Sequence, residues 1–538
     1  MLVSISNRAA AAVPMLTLAV SLACVGTAHA TGYGAPVVTT AQHGTLHSLR
    51  GAMFRPDDFA KNGHGHPVHP VPFLDGNGQQ VDARVQGSAS GPAAPAFGLG
   101  FPGLGNGFTG PSGAFTVNSA PPDTSGAMGA TQYVQVVNSG LAVFSKTGTV
   151  LMGPVPTNTL FQGMTGPCHD DNDGDATVVY DKAAGRWVVS QFAVTASPYF
   201  QCVAVSVTSD ATGAWNTYSF PYGTSFPDYP KTGVWPDAYY TTFNIFNGNT
   251  FGGAKLCAYD RTKMLAGAAT VTQQCYQLST SYGGVLPADL DGATAPPAGA
   301  PNYLLNFGAS SLNMWKFHVD WTNSANSTLS SPISIPVATF ATACGGGTCV
   351  PQLGVTQKLD SLGDRLMYRL SYRNFTGTGA HESLLVSHSV KVGTTHKNPY
   401  TGVRWYEIRT PGTTPTVYQQ STYSPDTTTF RWMPSIAMDK VGNIAVGYSA
   451  SSGSINPAIR YTGRLVTDAL STLQPESTML NGTGSQTGSN LARWGDYSTM
   501  TVDPTDDCTF WYSTEYLRTN GAFNWSTQIA SFKYPNCI

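Results

Sequence analysis

A strand, a short Asp/Gly turn and a second strand recur along most of this chain of 538 residues. That repetition constrains the fold more than any other feature. One copy reads Asp175-ATVVY-Asp181-KAAG-Arg186-Trp187-VVSQF, a second Pro434-SIAM-Asp439-KVGNIAVGYS, a third Gly495-Asp496-YSTMTV-Asp503-PTDDCTFWYSTEY. Weaker copies begin at Asp237 and Gly363. Asp and Gly suit the turn because they tolerate left-handed backbone and bond to it locally. The flanking residues alternate, with Ile436 and Met438 on one face and Ser435 and Ala437 on the other. Copies return about every 45–65 residues between 121 and 538, the length of a four-stranded blade. The expected fold is all-β: a β-propeller of roughly seven four-stranded blades over residues 116–538. A pair of long β-sandwiches is the rival; it explains the strand density but not the repeated unit. In a propeller each blade covers its neighbours' apolar faces, and the ring removes long exposed edges.

Composition narrows the function classes. Only four glutamates occur (Glu382, Glu407, Glu476, Glu515), so helix formers are scarce. Lys and Arg number 28 against 30 Asp and Glu, a formal charge of −2. That excludes a nucleic-acid binder held by phosphate neutralisation and a polybasic membrane-surface protein. Aromatic residues make up 11% of the chain, enough to bury a large core.

Residues 1–30 read as a secretory signal: Arg8, an apolar stretch from Ala9 to Val25, and Ala28-His29-Ala30 as cleavage site. An uncleaved anchor and a lipoprotein modified at Cys24 are the alternatives. No later segment is apolar enough to span a membrane, so the mature chain is expected outside the cytoplasm, secreted, periplasmic or cell-surface, as a monomer. Residues 31–115 lack Trp and Cys and include the run Gly98-Leu-Gly-Phe-Pro-Gly-Leu-Gly105. They read as an extended leader or pro-segment with little packed structure. His64, His66 and His69 lie in it, read as a solvated loop in preference to a metal site. Beyond Cys24 stand eight cysteines, an even number that suggests disulfides in an oxidising compartment. Pairing sequence neighbours gives Cys168–Cys202, Cys257–Cys275, Cys344–Cys349 and Cys508–Cys537. No CxxC favours metal ligation.

The phrases PPDTSGAMGATQYVQVVN (121–138), DNDGDATVVYDKAAGRWVVSQF (171–192), FPDYPKTGVWPDAYY (226–240) and RWGDYSTMTVDPTDDCTFWYSTEY (493–516) carry a resemblance. From Pro121 to Cys537 the chain resembles a family of secreted bacterial β-propeller proteins of unassigned function. More distantly, PSIAMDKVGNIAVGYS resembles the repeats of sialidase-like propellers. Their signature turn is met only loosely, by Ser209-Asp210 and Gly213-Ala-Trp215. That likeness implies fold more than activity.

In a propeller, the loops entering the innermost strands ring one mouth of the channel. Asp123, Asp175, Asp228-Tyr229, Arg431-Trp432, Arg493-Trp494 and Asp496-Tyr497 precede such strands. Trp and Tyr offer flat faces to sugar rings and Arg grips carboxylates through two bonds. Asp228 and Asp496 are the acid–base candidates and the others substrate-binding candidates. The two Arg-Trp pairs are expected at equivalent places on successive blades. Glu515-Tyr516 is a further catalytic candidate, since a Glu-Tyr pair can activate a tyrosine nucleophile. Against all of these stands a structural reading: aspartates cap turns, tryptophans wedge between blades, and a strand Glu pairs with an Arg. Asp171, Asp173 and Asp175 form the densest acidic run and a candidate Ca²⁺ loop, though EF-hand spacing fails. No Gly-x-Ser-x-Gly, HExxH or P-loop occurs. The expected function is binding of carbohydrate or cell-surface glycan at the channel mouth, extending to cleavage if the chain is a glycoside hydrolase or polysaccharide lyase. A non-catalytic adhesion or scaffold protein is the alternative, and a peptidase-like hydrolase a weaker one.

Overall fold

The computed structural model describes residues 1, 32–52, 69–73, 82–91, 94–95, 97–393, 400–488 and 491–538. The signal at 1–30 and His64 and His66 therefore lie, but for Met1, outside the described residues. The described residues are all-β, with only short helical turns among them, such as Pro167–Asp170 and Arg261–Leu265.

The strands form seven successive antiparallel groups, which begin with Ser125–Met128, Gly174–Asp181, Ser225–Val234, Leu286–Leu290, Met367–Phe375, Phe430–Met438 and Thr499–Val502. The fourth and fifth merge into one larger sheet, because Ala288, Asp289 and Leu290 pair in parallel with Leu370, Ser371 and Tyr372. Each first strand packs beside the first strand of the next group, and Thr499–Val502 packs beside Ser125–Met128. The backbone N–H of Asp123 donates to the Gly495 carbonyl at 3.1 Å across that last junction.

The core lies between neighbouring groups. In the second group, Ala176 and Val178 turn toward the first group's Val134 and Val143. Val179 turns the other way, toward Tyr239 and Phe243 of the third. Both faces of such a strand are buried, so its sequence is a nearly continuous apolar run. Eight tryptophans are fully buried, Trp187, Trp215 and Trp405 among them. Each withdraws roughly 150–250 Å² from water, on the order of 4–6 kcal/mol of gross transfer free energy.

The described parts of residues 31–115 do not form the loosely structured leader expected. Val37–Thr40 adds a fifth strand to the third group, pairing with Thr272–Gln277, and Gln42–Leu46 a fifth to the second. Val85–Gln86 extends the fifth group. Phe97–Gly105 supplies the outermost strand of the seventh, against Trp525–Phe532. The glycines that look like low complexity are there for close approach. A Cβ on Gly103 would fall 2.4 Å from Gln135 Oε1 and 2.5 Å from Thr527 Oγ1. Pro102 is tolerated because an outermost strand has one side without a ladder. Leu104 and Phe101 between those glycines are buried.

All eight cysteines are bonded, as Cys168–Cys202, Cys257–Cys275, Cys344–Cys349 and Cys508–Cys537. Cys508–Cys537 ties the chain's end to the turn before Phe510–Leu517.

Candidate functional site

Five first strands carry a residue in the left-handed region, inside the strand at Asp175 (φ 46°), Tyr229 (φ 57°) and Met433 (φ 52°) and just before it at Asp123 (φ 51°) and Asp496 (φ 57°). The ladder is interrupted between Gly174 and Thr177, between Asp228 and Lys231, and between Trp432 and Ser435. Such a bulge re-aims a side chain out of the sheet. Asp tolerates the conformation better than most residues. Here it sends Asp123, Asp175, Tyr229 and Asp496, far apart in sequence, to one place.

Their meeting point is filled. The Tyr229 hydroxyl donates to the Asp496 carbonyl (3.2 Å), and the two rings of Tyr229 and Tyr497 stand edge-on at 5.9 Å. Between them lies the ammonium of Lys231, 3.5 Å from the Tyr229 ring centre and 3.7 Å from that of Tyr497. Burial lowers the Lys231 amine to about 8, although Asp175, Asp123, Asp496 and Asp228 pull it back up. Asp123 is completely enclosed. Burial first, and then the charges of Asp496 and Asp175, push its carboxyl well above the usual carboxylate range. Neither of its carboxyl oxygens has a hydrogen-bond partner among the described residues.

Just outside this plug opens a cavity of about 260 Å³. Asp175, Asp228 and Asp496 face it with Arg365 and Arg493, and Phe192, Phe226, Tyr229 and His69 form its walls. Asp175 accepts a hydrogen bond from the Tyr229 N–H at 3.1 Å. Arg493 is joined to Asp496, and burial notwithstanding, that carboxylate raises its guanidinium. Arg365 donates twice to Asp364, at 2.7 and 3.0 Å. Asp228 accepts no hydrogen bond from the described residues; its nearest ionic partner is His69, at 3.8 Å. A second cavity, of about 350 Å³, lies at the other ends of the same strands, among Tyr180, Trp235, Leu290 and Pro504. Its charged groups are matched internally, Arg261 with Asp181 and Lys182 with Asp291.

Several expected residues lie elsewhere. Arg431 and Trp432 do not occupy places equivalent to Arg493 and Trp494. Measured from the left-handed residue, Arg431 is two positions before Met433, whereas Arg493 is three before Asp496. Gly495, itself at φ 68°, is the extra residue. The side chains therefore diverge. Arg431 turns to Asp426 (2.6 Å) and Glu476 (2.9 Å), away from the cavity. Trp432 and Trp494 are fully buried and pack on each other at 5.9 Å, so neither offers a face to a ligand. Tyr497 is consumed in the plug.

Glu515 and Tyr516 do not form a pair. Adjacent strand residues point to opposite faces. Glu515 accepts from the Gly495 N–H (2.8 Å), and burial pushes its carboxyl well above the usual range. Tyr516 packs on the other side with Met479 and accepts from Arg518 (3.0 Å). The Ca²⁺ candidates also diverge. Asp175 faces the cavity, whereas Asp173 accepts from the Val194 N–H and the Thr195 hydroxyl. Asp171, raised to about 6 by burial and by the neighbouring Asp173, is partly exposed. Among the described residues no group of three His, Cys, Asp or Glu side chains is placed to hold a metal ion.

Lys231 and Arg365 are site residues that the sequence reading does not single out, and His69, expected in a solvated loop, packs instead on Phe226 and Phe246 at the cavity. Lys231 and Arg365 stand in the recurring phrases, FPDYPKTGV and GDRLMY. Lys231 is a charge inside a strand and Arg365 a charge in the turn just before one, each close to an aspartate in sequence.

No family model matches the chain, and no curated protein matches it. Among solved structures it is similar to an α-L-arabinofuranosidase from Lactobacillus brevis, at 12% identity over 68% of this chain and 91% of that one, TM-score 0.29. It is similar to the WD40 domain of SCAP from fission yeast at 10% identity, 75% and 79% coverage, TM-score 0.30. A GH43 β-1,3-galactosidase with galactodeoxynojirimycin gives 10% identity, 81% and 97% coverage, TM-score 0.24. Likenesses this slight assign no activity.

Proposed function

We propose that this chain is an exported seven-bladed β-propeller that binds an uncharged sugar in the cavity at its channel mouth. The observation that carries the reading is the composition of that cavity. Carboxylates of Asp175, Asp228 and Asp496 converge beside the aromatic walls of Phe192, Phe226 and Tyr229. Carboxylates accept from sugar hydroxyls, and aromatic walls cover the apolar face of a ring. A volume of about 260 Å³ suits a single ring. Both arginines are already matched to aspartates, Arg365 to Asp364 and Arg493 to Asp496. A ligand carboxylate would therefore meet two carboxylates, Asp175 and Asp228, with the single ammonium of Lys231 buried behind them. This favours neutral sugars over anionic ones.

Binding without cleavage is the better supported form. Glycoside cleavage needs a protonated carboxyl facing the ligand as well as an ionised one. The carboxyls that burial pushes well above the usual range, Asp123 and Glu515, do not line the cavity. A second reading, a purely structural hub, draws on the bond from the Tyr229 N–H to Asp175. There the carboxylate joins two blades and leaves less for a ligand. The four disulfides are consistent with an oxidising, extracytoplasmic setting.

The deciding experiment is a glycan array followed by calorimetry on the mature protein and on Asp228→Asn. Binding of a neutral glycan that weakens at least tenfold in Asp228→Asn supports the reading. A folded protein that binds no glycan overturns it.

A further inference from the structure

One residue that lines the cavity does not come from the strand groups. His69, the first residue of a described strap at 69–73 that falls in sequence between the strands Gln42–Leu46 and Val85–Gln86, lines it. Two adjacent side chains of the fifth group hold this strap. The Arg365 guanidinium donates to the His69 carbonyl at 3.2 Å, and Asp364 accepts from the Val71 N–H at 3.1 Å. Val71 is buried, and Phe73 packs against the central core cluster.

With its backbone held in this way, the His69 imidazole packs between two rings. It sits edge-on to Phe226 (5.4 Å between ring centres) and tilted on Phe246 (4.8 Å). Its Nδ1 is 3.8 Å from Oδ1 of Asp228, too far for a direct hydrogen bond. Both side chains remain partly open to the cavity, 28% for His69 and 16% for Asp228. The pair thus comprises a donor or acceptor ring and a carboxylate without a hydrogen bond from the described residues, facing one small space. With no hydrogen bond joining them, both groups are free to turn to one hydroxyl lying in the cavity in front of the pair.

We infer that His69 is a recognition residue of the site, contributed by the leader, which reads a ligand hydroxyl jointly with Asp228. The inference rests on the reading of the cavity as a sugar site and deepens it. Asp228 accepts the hydroxyl proton, and an imidazole nitrogen supplies the second bond to the same oxygen or its neighbour. The leader then has a task beyond completing sheets: it carries a side chain that selects the ligand.

The test is calorimetric titration of the full mature protein with methyl β-D-glucopyranoside, methyl β-D-galactopyranoside and methyl α-L-arabinofuranoside. The proteins compared are wild type, His69→Ala and His69→Gln, each with a thermal melt. The expected result is that at least one glycoside binds wild type and His69→Ala weakens it at least tenfold at an unchanged Tm. The longer amide of His69→Gln recovers part of the loss, which a merely structural role would not predict. If wild type binds and His69→Ala binds equally or more tightly, the role of His69 is overturned while the sugar site stands. If wild type binds none of the three, this inference falls together with the reading beneath it.

Discussion

Tyr497, on the way into the seventh strand group, donates its hydroxyl to the backbone carbonyl of Ala176 in the second, at 3.0 Å. The reverse crossing is made by Tyr229, whose hydroxyl reaches the Asp496 carbonyl. Strand groups that are hundreds of residues apart in sequence are thus joined through the middle. The centre is a packed polar plug and not an open pore, and its only ammonium among the described residues, Lys231, is fully buried between the same two rings.

Lys231 should leave a signature in stability against pH. Its amine titrates near 8 when folded and near 10.5 when unfolded, because burial penalises the charged form. Between those values the unfolded chain binds more protons than the folded one, so stability rises with pH. Relative to Lys231→Met, wild type should gain up to about 1.4 kcal/mol per pH unit between pH 8 and 10.5. Ionisation of tyrosines affects both proteins and cancels in the comparison. Urea melts across this range measure it; parallel curves would refute the buried, easily deprotonated ammonium.

The leader should be indispensable to folding. Its strands cover edges on four groups, and Asp82 forms a buried ion pair with Arg404 at 2.8 Å. Deleting residues 31–115 would strand that guanidinium and uncover the strand Trp525–Phe532. The gentler variant Asp82→Ala isolates the ion pair, and leaving Arg404 buried and unmatched costs about 3–5 kcal/mol. Chemical denaturation of Asp82→Ala reports this directly. A leaderless protein that folds with an unchanged Tm would return these residues to the status of a removable pro-segment.

What could be read from the residues was what repeats or lies close by. The strand-turn-strand phrases located the first strands, and the disulfides join neighbours in sequence, as with Cys344 and Cys349 five residues apart. Asp123, Asp175 and Asp496 were recognisable because each opens a similar phrase. What escaped depends on one-residue geometry. The extra Gly495 shifts Arg493-Trp494 out of step with Arg431-Trp432, and no composition rule reveals such a slip. The leader was misread because its strands are short and pair only with distant partners, as Val37 does with Cys275. Its glycines look like a flexible linker until Gln135 and Thr527 are seen against Gly103.

Two substitutions should separate ligand contact from framework. Asp496→Asn keeps a residue tolerant of left-handed backbone while removing the charge that faces the cavity and Arg493. It should weaken binding of a neutral glycan about tenfold or more, with a clear fall in Tm because the buried Arg493 loses its carboxylate. Tyr516→Phe removes a hydroxyl on the far face of its strand, bonded to Arg518, and should leave glycan binding within about twofold. Calorimetry on both variants decides. A Tyr516→Phe protein that loses binding would restore the Glu515–Tyr516 pair as part of the site.

Glu515 offers a second test by pH, opposite in sense to that of Lys231. Burial raises its carboxyl well above the usual range, outweighing the bond from the Gly495 N–H. For an acid whose folded pKa lies above its unfolded value, the linked stabilisation is complete below the unfolded pKa. It is lost as pH rises toward the folded one. Glu515→Gln keeps an oxygen to accept from Gly495 and has no proton to lose. Its stability relative to wild type should therefore grow with pH above about 4.5, by up to about 1.4 kcal/mol per unit. Thermal or urea melts at pH 4 and pH 7 measure the difference. A gap between the two proteins that stays constant over that range would show that Glu515 is ionised in the folded chain and that its buried oxygen has a counter-charge.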